Sequence, residues 1–248
     1  MDKVLLITGG SRGIGAATAR LAASLGYAVA INYTANASAA EEVARQIRAQ
    51  GGTAITLRAD VADEAQVLGM FQQVDAQLGR LSALVNNAGV VDVAARVEQM
   101  SLARMKRMFD INVIGSMLCA REAVRRMSTR HGGAGGAIVN VSSVASSLGA
   151  PGQYVDYAAA KGAIDAFTIG LGRELTLDGI RVNAVRPGVI DTEIHASGGQ
   201  PDRARQLAPQ LPMQRPGTAE EVAQAIVWLL SDAASYTTAS LLDVTGGR

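Results

Sequence analysis

Short apolar runs rich in β-branched residues alternate with longer amphipathic stretches from one end of the chain to the other. The runs are Val4–Ile7, Ala28–Tyr33, Ala54–Arg58, Ala83–Val85, Ala137–Val141, Arg181–Val185 and Leu241–Val244. Each has the length of a strand. Between them lie candidate helices at Ile14–Leu25, Ala39–Ala49, Glu64–Leu78, Leu102–Met127, Val155–Leu177 and Ala219–Leu230. Such alternation requires parallel strands whose crossover helices cover both faces of one sheet. Asp63, Ser101 and Thr218 stand where helices start, and Glu221 completes a capping box with Thr218. Gly26, Gly51 and Gly79 mark helix ends. No linker or composition break divides the 248 residues, so one domain, 1–248, is expected. The run Gly132 to Gly136 reads as a flexible loop.

Hydrophobic residues make up 48% of the chain and charged residues 18%, which excludes disorder and permits a large core. Lys plus Arg number 23 against 22 Asp plus Glu, so net charge makes no case for a nucleic-acid or anionic-membrane partner. A lone cysteine, Cys119, excludes an internal disulfide and reads as a small buried hydrophobe. Two histidines, His131 and His195, are too few for a thiolate- and imidazole-rich zinc site, and no metal is expected. The apolar run after Met1-Asp2-Lys3 is shorter than the roughly 7–15 residues of a secretory signal. No apolar stretch approaches the ~20 residues of a membrane span. The expectation is a cytoplasmic protein with no membrane partner.

The first strand runs into Thr8-Gly9-Gly10-Ser11-Arg12-Gly13-Ile14-Gly15 and then a helix. Glycines allow a tight turn and close approach of a ligand, and the helix N-terminus offers N–H groups to a pyrophosphate. The pattern is T-G-x-x-x-G-x-G rather than G-x-G-x-x-G. Together with Asn86-Asn87-Ala88-Gly89, Tyr157-x-x-x-Lys161 and Pro187-Gly188, in that order, it resembles the short-chain dehydrogenase/reductase family of the classical type. The resemblance spans essentially the whole chain. It implies a Rossmann-type doubly wound parallel sheet of seven strands, an oxidoreductase, a nicotinamide cofactor and a homotetramer or dimer.

An acid at the end of the second strand would favour NAD, because it bonds the adenosine ribose and repels a 2′-phosphate. Here that strand ends in Ile31-Asn32-Tyr33-Thr34, and no Asp or Glu occurs between Asp2 and Glu41. Arg12 sits inside the glycine loop, where a guanidinium can meet a phosphate. These residues point to NADP(H) rather than NAD(H), with Arg12 and Asn32 as discriminators, and Tyr33 and Thr34 beside them. By resemblance, Asp60 and Val61 flank the adenine. Asn86, Ala88 and Gly89 border its ribose, and Ile190 and Thr192 reach the carboxamide and phosphates. Asn87 either ties strands together or touches ligand.

Tyr157 and Lys161 are four apart on a helix and share a face. An ammonium beside a phenol favours phenolate, which makes Tyr157 a usable acid/base. Lys161 also reaches the nicotinamide ribose. Ser142 and Ser143 end the fifth strand, and the resemblance assigns the substrate-binding serine to Ser143, with Ser142 as the alternative. Asn112, a poor mid-helix residue, is placed by the resemblance at a local helix irregularity, its carbonyl holding a water that links the lysine to solvent. Tyr154 lacks a lysine four residues on and is expected to line the cleft or pack locally.

The segment 189–216 should form much of the substrate wall, with His195 a loop residue. The reaction expected is hydride transfer between NADP(H) and a carbonyl or secondary alcohol of a sugar, polyol or small ketone. A 3-oxoacyl-carrier-protein reductase is the second reading, and a non-catalytic NADP-binding regulator a third. The Val155–Leu177 helix is apolar over most of its circumference, so a second copy of the chain should cover its outer face.

Overall fold

In the computed structural model, which describes residues 3–248, the apolar runs form seven parallel strands: β1 (Lys3–Ile7), β2 (Tyr27–Tyr33), β3 (Ala54–Arg58), β4 (Ala83–Asn86), β5 (Gly136–Val141), β6 (Ile180–Pro187) and β7 (Leu241–Val244). The side chains of His195 and Ser197 lie outside the described residues. Strand order is β3-β2-β1-β4-β5-β6-β7, so the winding reverses between β1 and β4. In open α/β sheets a ligand crevice opens at the carboxyl ends of the strands, at such a reversal.

The helices are α1 (Gly13–Ser24), α2 (Ala37–Ala49), α3 (Glu64–Leu78), α4 (Leu102–Phe109), α5 (Gly115–Met127), α6 (Ala145–Leu148), α7 (Val155–Glu174), α8 (Ile194–Ser197), α9 (Arg203–Leu207) and α10 (Ala219–Leu230). Alternate residues of a strand face opposite sides, and β1 divides accordingly. Leu5 and Ile7 pack with α1, α2 and α10, whereas Val4 and Leu6 pack with α3 and α5. Both faces of the sheet are therefore dry, which is why its strands are continuous apolar runs rather than alternating ones. The caps form where the sequence marks them. Asp63 accepts from Gln66 N at 3.1 Å, Ser101 from Arg104 N at 3.2 Å, and Thr218 and Glu221 bond reciprocally. No helix among the described residues is long and apolar enough to cross a membrane.

Three expectations need correction. The single helix over 102–127 is broken by a π-turn at Asp110–Ile114. The side chain of Asn112 donates to the Met108 carbonyl at 2.9 Å and so competes for an acceptor of the helix ladder. The helix expected to reach Leu177 ends at Glu174 and passes into a 3₁₀ turn closed by Gly179, φ 72°. The glycine run at 132–136 is a packed joint rather than a flexible loop. A Cβ on Gly133 would stand 2.2 Å from the Met127 carbonyl oxygen, and one on Gly135 would stand 2.4 Å from that of Gly179. Cys119 is fully buried, as expected, and burial pushes its thiol up to about 12.

Candidate active site

The ends of six strands, β1 to β6, converge on a cleft of about 1000 Å³. The turn after β1 forms its floor. Gly9 and Gly13 adopt left-handed φ values of 61° and 51°, which a side chain would strain. Gly15 admits no Cβ, because one would lie 2.5 Å from Asn87 Nδ2 and 2.6 Å from the Gly9 carbonyl oxygen. Thr8 Oγ1 accepts from the N–H groups of Asn87 and Ala88, both at 3.0 Å, and Asn87 Nδ2 donates to the carbonyls of Thr8 and Gly9, both at 2.9 Å. The loops after β1 and β4 are thus locked together at the reversal of the winding.

Gly9, Ser11, Arg12, Gly13, Ile14, Tyr33, Thr34, Asp60, Val61, Ala88, Gly89, Pro187, Gly188, Ile190 and Thr192 all line this cleft, as do Ser143, Tyr157 and Lys161. Gly15, Asn32, Asn86 and Asn112 do not border it. Asn32 is 1% exposed; its Oδ1 accepts from Gly9 N at 3.1 Å and its Nδ2 donates to the Ala59 carbonyl at 2.9 Å. It braces the glycine turn against the end of β3 and cannot present its amide to a ribose. Asn86 is likewise buried, donating to Asn140 Oδ1 at 3.0 Å and to the Ser116 carbonyl at 3.1 Å. Its neighbour Asn87 is the one that meets both the cleft and the glycine loop.

Tyr157 and Lys161 occupy the first turns of α7. Behind them, buried Asp156 binds Arg104 through Nε at 2.8 Å and Nη2 at 3.2 Å, which pins α7 to α4. The Ser143 hydroxyl faces that of Tyr157. Burial pushes the phenol up to about 12, with the Ser143 hydroxyl opposing the rise. Lys161 Nζ lies 5.6 Å from the centre of the Tyr157 ring and donates to the Val141 carbonyl at 2.7 Å. Burial brings its ammonium down to about 8, and the charge of Asp165 resists the fall.

The two serines differ sharply. Ser142 Oγ is buried, 2.5 Å from Asp165 Oδ1 and 3.2 Å from the Lys161 carbonyl oxygen. Ser143 Oγ faces Tyr157 and accepts from Ala145 N at 3.1 Å. Asn112 lies in the π-turn, where an irregularity was expected, and its side chain is held by the loop after β4. Its Oδ1 accepts from Val90 N at 3.2 Å, and its Nδ2 donates to the Val90 carbonyl at 3.1 Å. Gly89 is needed above it, since a Cβ there would stand 2.8 Å from Asn112 Oδ1.

Sequence reasoning missed several residues of the cleft, among them Asn36, Leu148, Gln153, Arg203 and Arg248. Asn36 carried a signal, since it caps α2 by accepting from Ala39 N at 3.0 Å. Tyr154, expected to line the cleft or pack locally, borders it beneath Arg203.

A glycine turn at the winding reversal, beside a serine after β5 and a tyrosine and lysine on α7, defines the class. The chain belongs to the short-chain dehydrogenase/reductase family of oxidoreductases, whose members bind a nicotinamide cofactor. The family model described as "Enoyl-(Acyl carrier protein) reductase" matches residues 9–248. The chain is 58% identical over 245 residues to "Uncharacterized oxidoreductase YgfF" of Escherichia coli (strain K12), covering 99% of each protein. It is 41% identical over 248 residues to the "Cis-4-hydroxycyclohexanecarboxylate dehydrogenase" of Sinomonas cyclohexanicum, covering 99% of this chain and 96% of that one. A short-chain type dehydrogenase/reductase from Mycobacterium marinum superposes with a TM-score of 0.92 at 36% identity, covering 99% and 94% of the two chains. The residues present fit a dinucleotide: the cleft is long enough to run from Asp60 to Tyr157, and its floor is bare of side chains where a phosphate must approach.

Proposed function

We propose that the protein is an NADP(H)-dependent carbonyl reductase or alcohol dehydrogenase acting on a small ketone, sugar or polyol. The observation that carries this reading is the Ser143–Tyr157–Lys161 group, set in the same cleft as the glycine turn. A bound nicotinamide would supply or accept the hydride. Ser143 and Tyr157 orient the substrate oxygen between their hydroxyls. Tyr157 gives that oxygen its proton in reduction and takes it back in oxidation. Lys161 stabilises the phenolate that remains. Its own proton exchanges with solvent past the π-turn that holds Asn112. The name of the Sinomonas relative, a dehydrogenase of a secondary alcohol, supports the same chemistry.

Preference for NADP(H) rests on Arg12. It is exposed at the N-cap of α1, on the cleft, with Tyr33, Thr34 and Asn36 opposite and no carboxylate at the end of β2. Arg58 donates to the Thr34 carbonyl at 3.3 Å and brings a second guanidinium to that end. With Asn32 buried, Arg12 is left as the discriminator. Arg12→Ala is expected to weaken NADPH binding roughly 10- to 150-fold, the worth of a charge-assisted hydrogen bond, and to leave NADH binding nearly unchanged. Fluorescence titration with both cofactors reads this; equal losses for the two would give Arg12 a general role in the loop.

We further propose that the active form is a homotetramer built on paired α7 helices. Ala159, Ala166 and Gly170 are exposed on α7, and a Cβ on Gly162 or Gly170 would meet nothing within 4 Å. Phe109 and Ile114 expose 39% and 45% of their surface on the adjoining α4 segment. Trp228 on α10, 43% exposed, and the edge strand β7 would make the second contact. Light scattering at micromolar concentration is expected to give four protomer masses, and Gly170→Arg or Ala166→Arg to lower that number. A stable, active monomer of the unaltered chain would refute the assembly.

A further inference from the structure

Arg203 opens α9 on the wall of the cleft, half-buried, and its guanidinium is held by neutral groups. Nη1 donates to Gln200 Oε1 at 2.7 Å, Nη2 donates to Gln153 Oε1 at 2.6 Å, and Cζ lies 5.4 Å from the centre of the Tyr154 ring. Among the described residues no carboxylate lies within ion-pair distance of it. Other half-buried arginines are treated differently. Arg104 is answered by Asp156 at 2.8 Å, Arg126 by Asp75 at 2.8 Å and Arg186 by Asp243 at 2.5 Å. Arg181 is spread over backbone carbonyls at the end of α10, away from the cleft.

Two amides and a ring fix the orientation of a guanidinium without cancelling its charge. They occupy two of its five donors. What remains is a planar, oriented, uncompensated cation facing the cleft, the arrangement that takes a carboxylate in bidentate fashion. We infer that Arg203 binds the acid group of the substrate, so that this site acts on an oxo or hydroxy acid rather than on a neutral ketone or sugar. The inference rests on the reading of the cleft as a carbonyl reductase. Tyr154, under the guanidinium, precedes Tyr157 by three residues, about 4.5 Å along the helix axis. Arg203 and Tyr157 line the same cleft, so one substrate can present its carboxylate to the first and its reacting oxygen to the second.

The test uses the full-length protein with NADPH and, in parallel, NADH. Reduction of 5-oxohexanoate and 4-oxocyclohexanecarboxylate is compared with reduction of their methyl esters. These keep the shape and lose the charge. The unaltered protein is expected to favour each acid over its ester. Arg203→Gln should lower kcat/KM for the acids roughly 10- to 150-fold, chiefly through KM, and lower it much less for the esters, so that the preference for acid over ester collapses. Arg203→Lys should restore part of the loss. Equal turnover of acids and esters by the unaltered protein would overturn the inference while leaving a reductase. So would an Arg203→Gln loss shared equally by acids and esters. Failure to reduce any carbonyl compound with either cofactor would overturn the reading of the cleft, and the inference with it.

Discussion

Replacing Tyr157 with phenylalanine is expected to leave cofactor affinity nearly intact and to cut turnover by about 10²–10⁴-fold, the worth of a placed general acid. The ring packs beside Met108, Val113 and Ala160, and phenylalanine preserves that contact. Only the hydroxyl that faces Ser143 is lost. Because burial holds the phenol near 12, it keeps its proton at neutral pH and has one to give. Lys161, with its ammonium brought down to about 8, is still largely charged at that pH and stabilises the phenolate left behind. The neighbouring phenol does not replace it. Tyr154 lies under Arg203, and the residue four positions after it is Ala158. Steady-state rates, cofactor titration and thermal melting of the same preparation separate chemistry from folding. Retention of more than about a tenth of the rate is incompatible with a general-acid role of this size and would remove Tyr157 from it.

What was legible in the sequence was what is local in it. Alternating runs, helix caps, a glycine turn and two residues four apart on a helix each occupy one stretch of chain, and their geometry follows from backbone periodicity. The roles of Asn86 and Asn87 were not legible. Adjacent residues of a strand point to opposite sides, and at a strand end either parity reads equally well. The fold turns Asn86 inward to Asn140 on β5 and Asn87 toward the Gly9 carbonyl. Asn32 misled for a related reason. It sits where a ribose-binding acid would stand, but its amide bridges the turn after β1 to the end of β3, a pairing set by strand order. The π-turn left one trace, an asparagine inside an amphipathic helix, yet its partner Val90 comes from the loop after β4. Arg203 left none. It meets Gln153 across 50 positions of sequence, and no local pattern announces such a contact.

Ser143→Ala and Ser142→Ala are expected to fail in opposite ways. Ser143 points its hydroxyl at Tyr157 in the cleft, where the substrate oxygen must lie, so its loss removes a donor to the charge that develops there. Deleting one such donor costs about 10²–10³ in kcat. The fold barely uses this hydroxyl, whose remaining contact is one bond accepted from Ala145 N, so melting temperature should hardly move. Ser142 is the reverse. Its hydroxyl is 2% exposed and satisfies Asp165, which also faces Arg186 at 3.6 Å. Alanine there strips a hydrogen bond from a buried carboxylate, a loss of about 1–3 kcal/mol in stability. Activity should then suffer only indirectly, because Asp165 lies one turn beyond Lys161 on α7 and supports its ammonium. Measuring kcat and thermal stability for both variants gives a crossed pattern: rate lost with the fold intact for Ser143, fold weakened with most of the rate intact for Ser142. The opposite crossing would transfer the substrate-binding role to Ser142 and require the Asp165 bond to break when substrate enters.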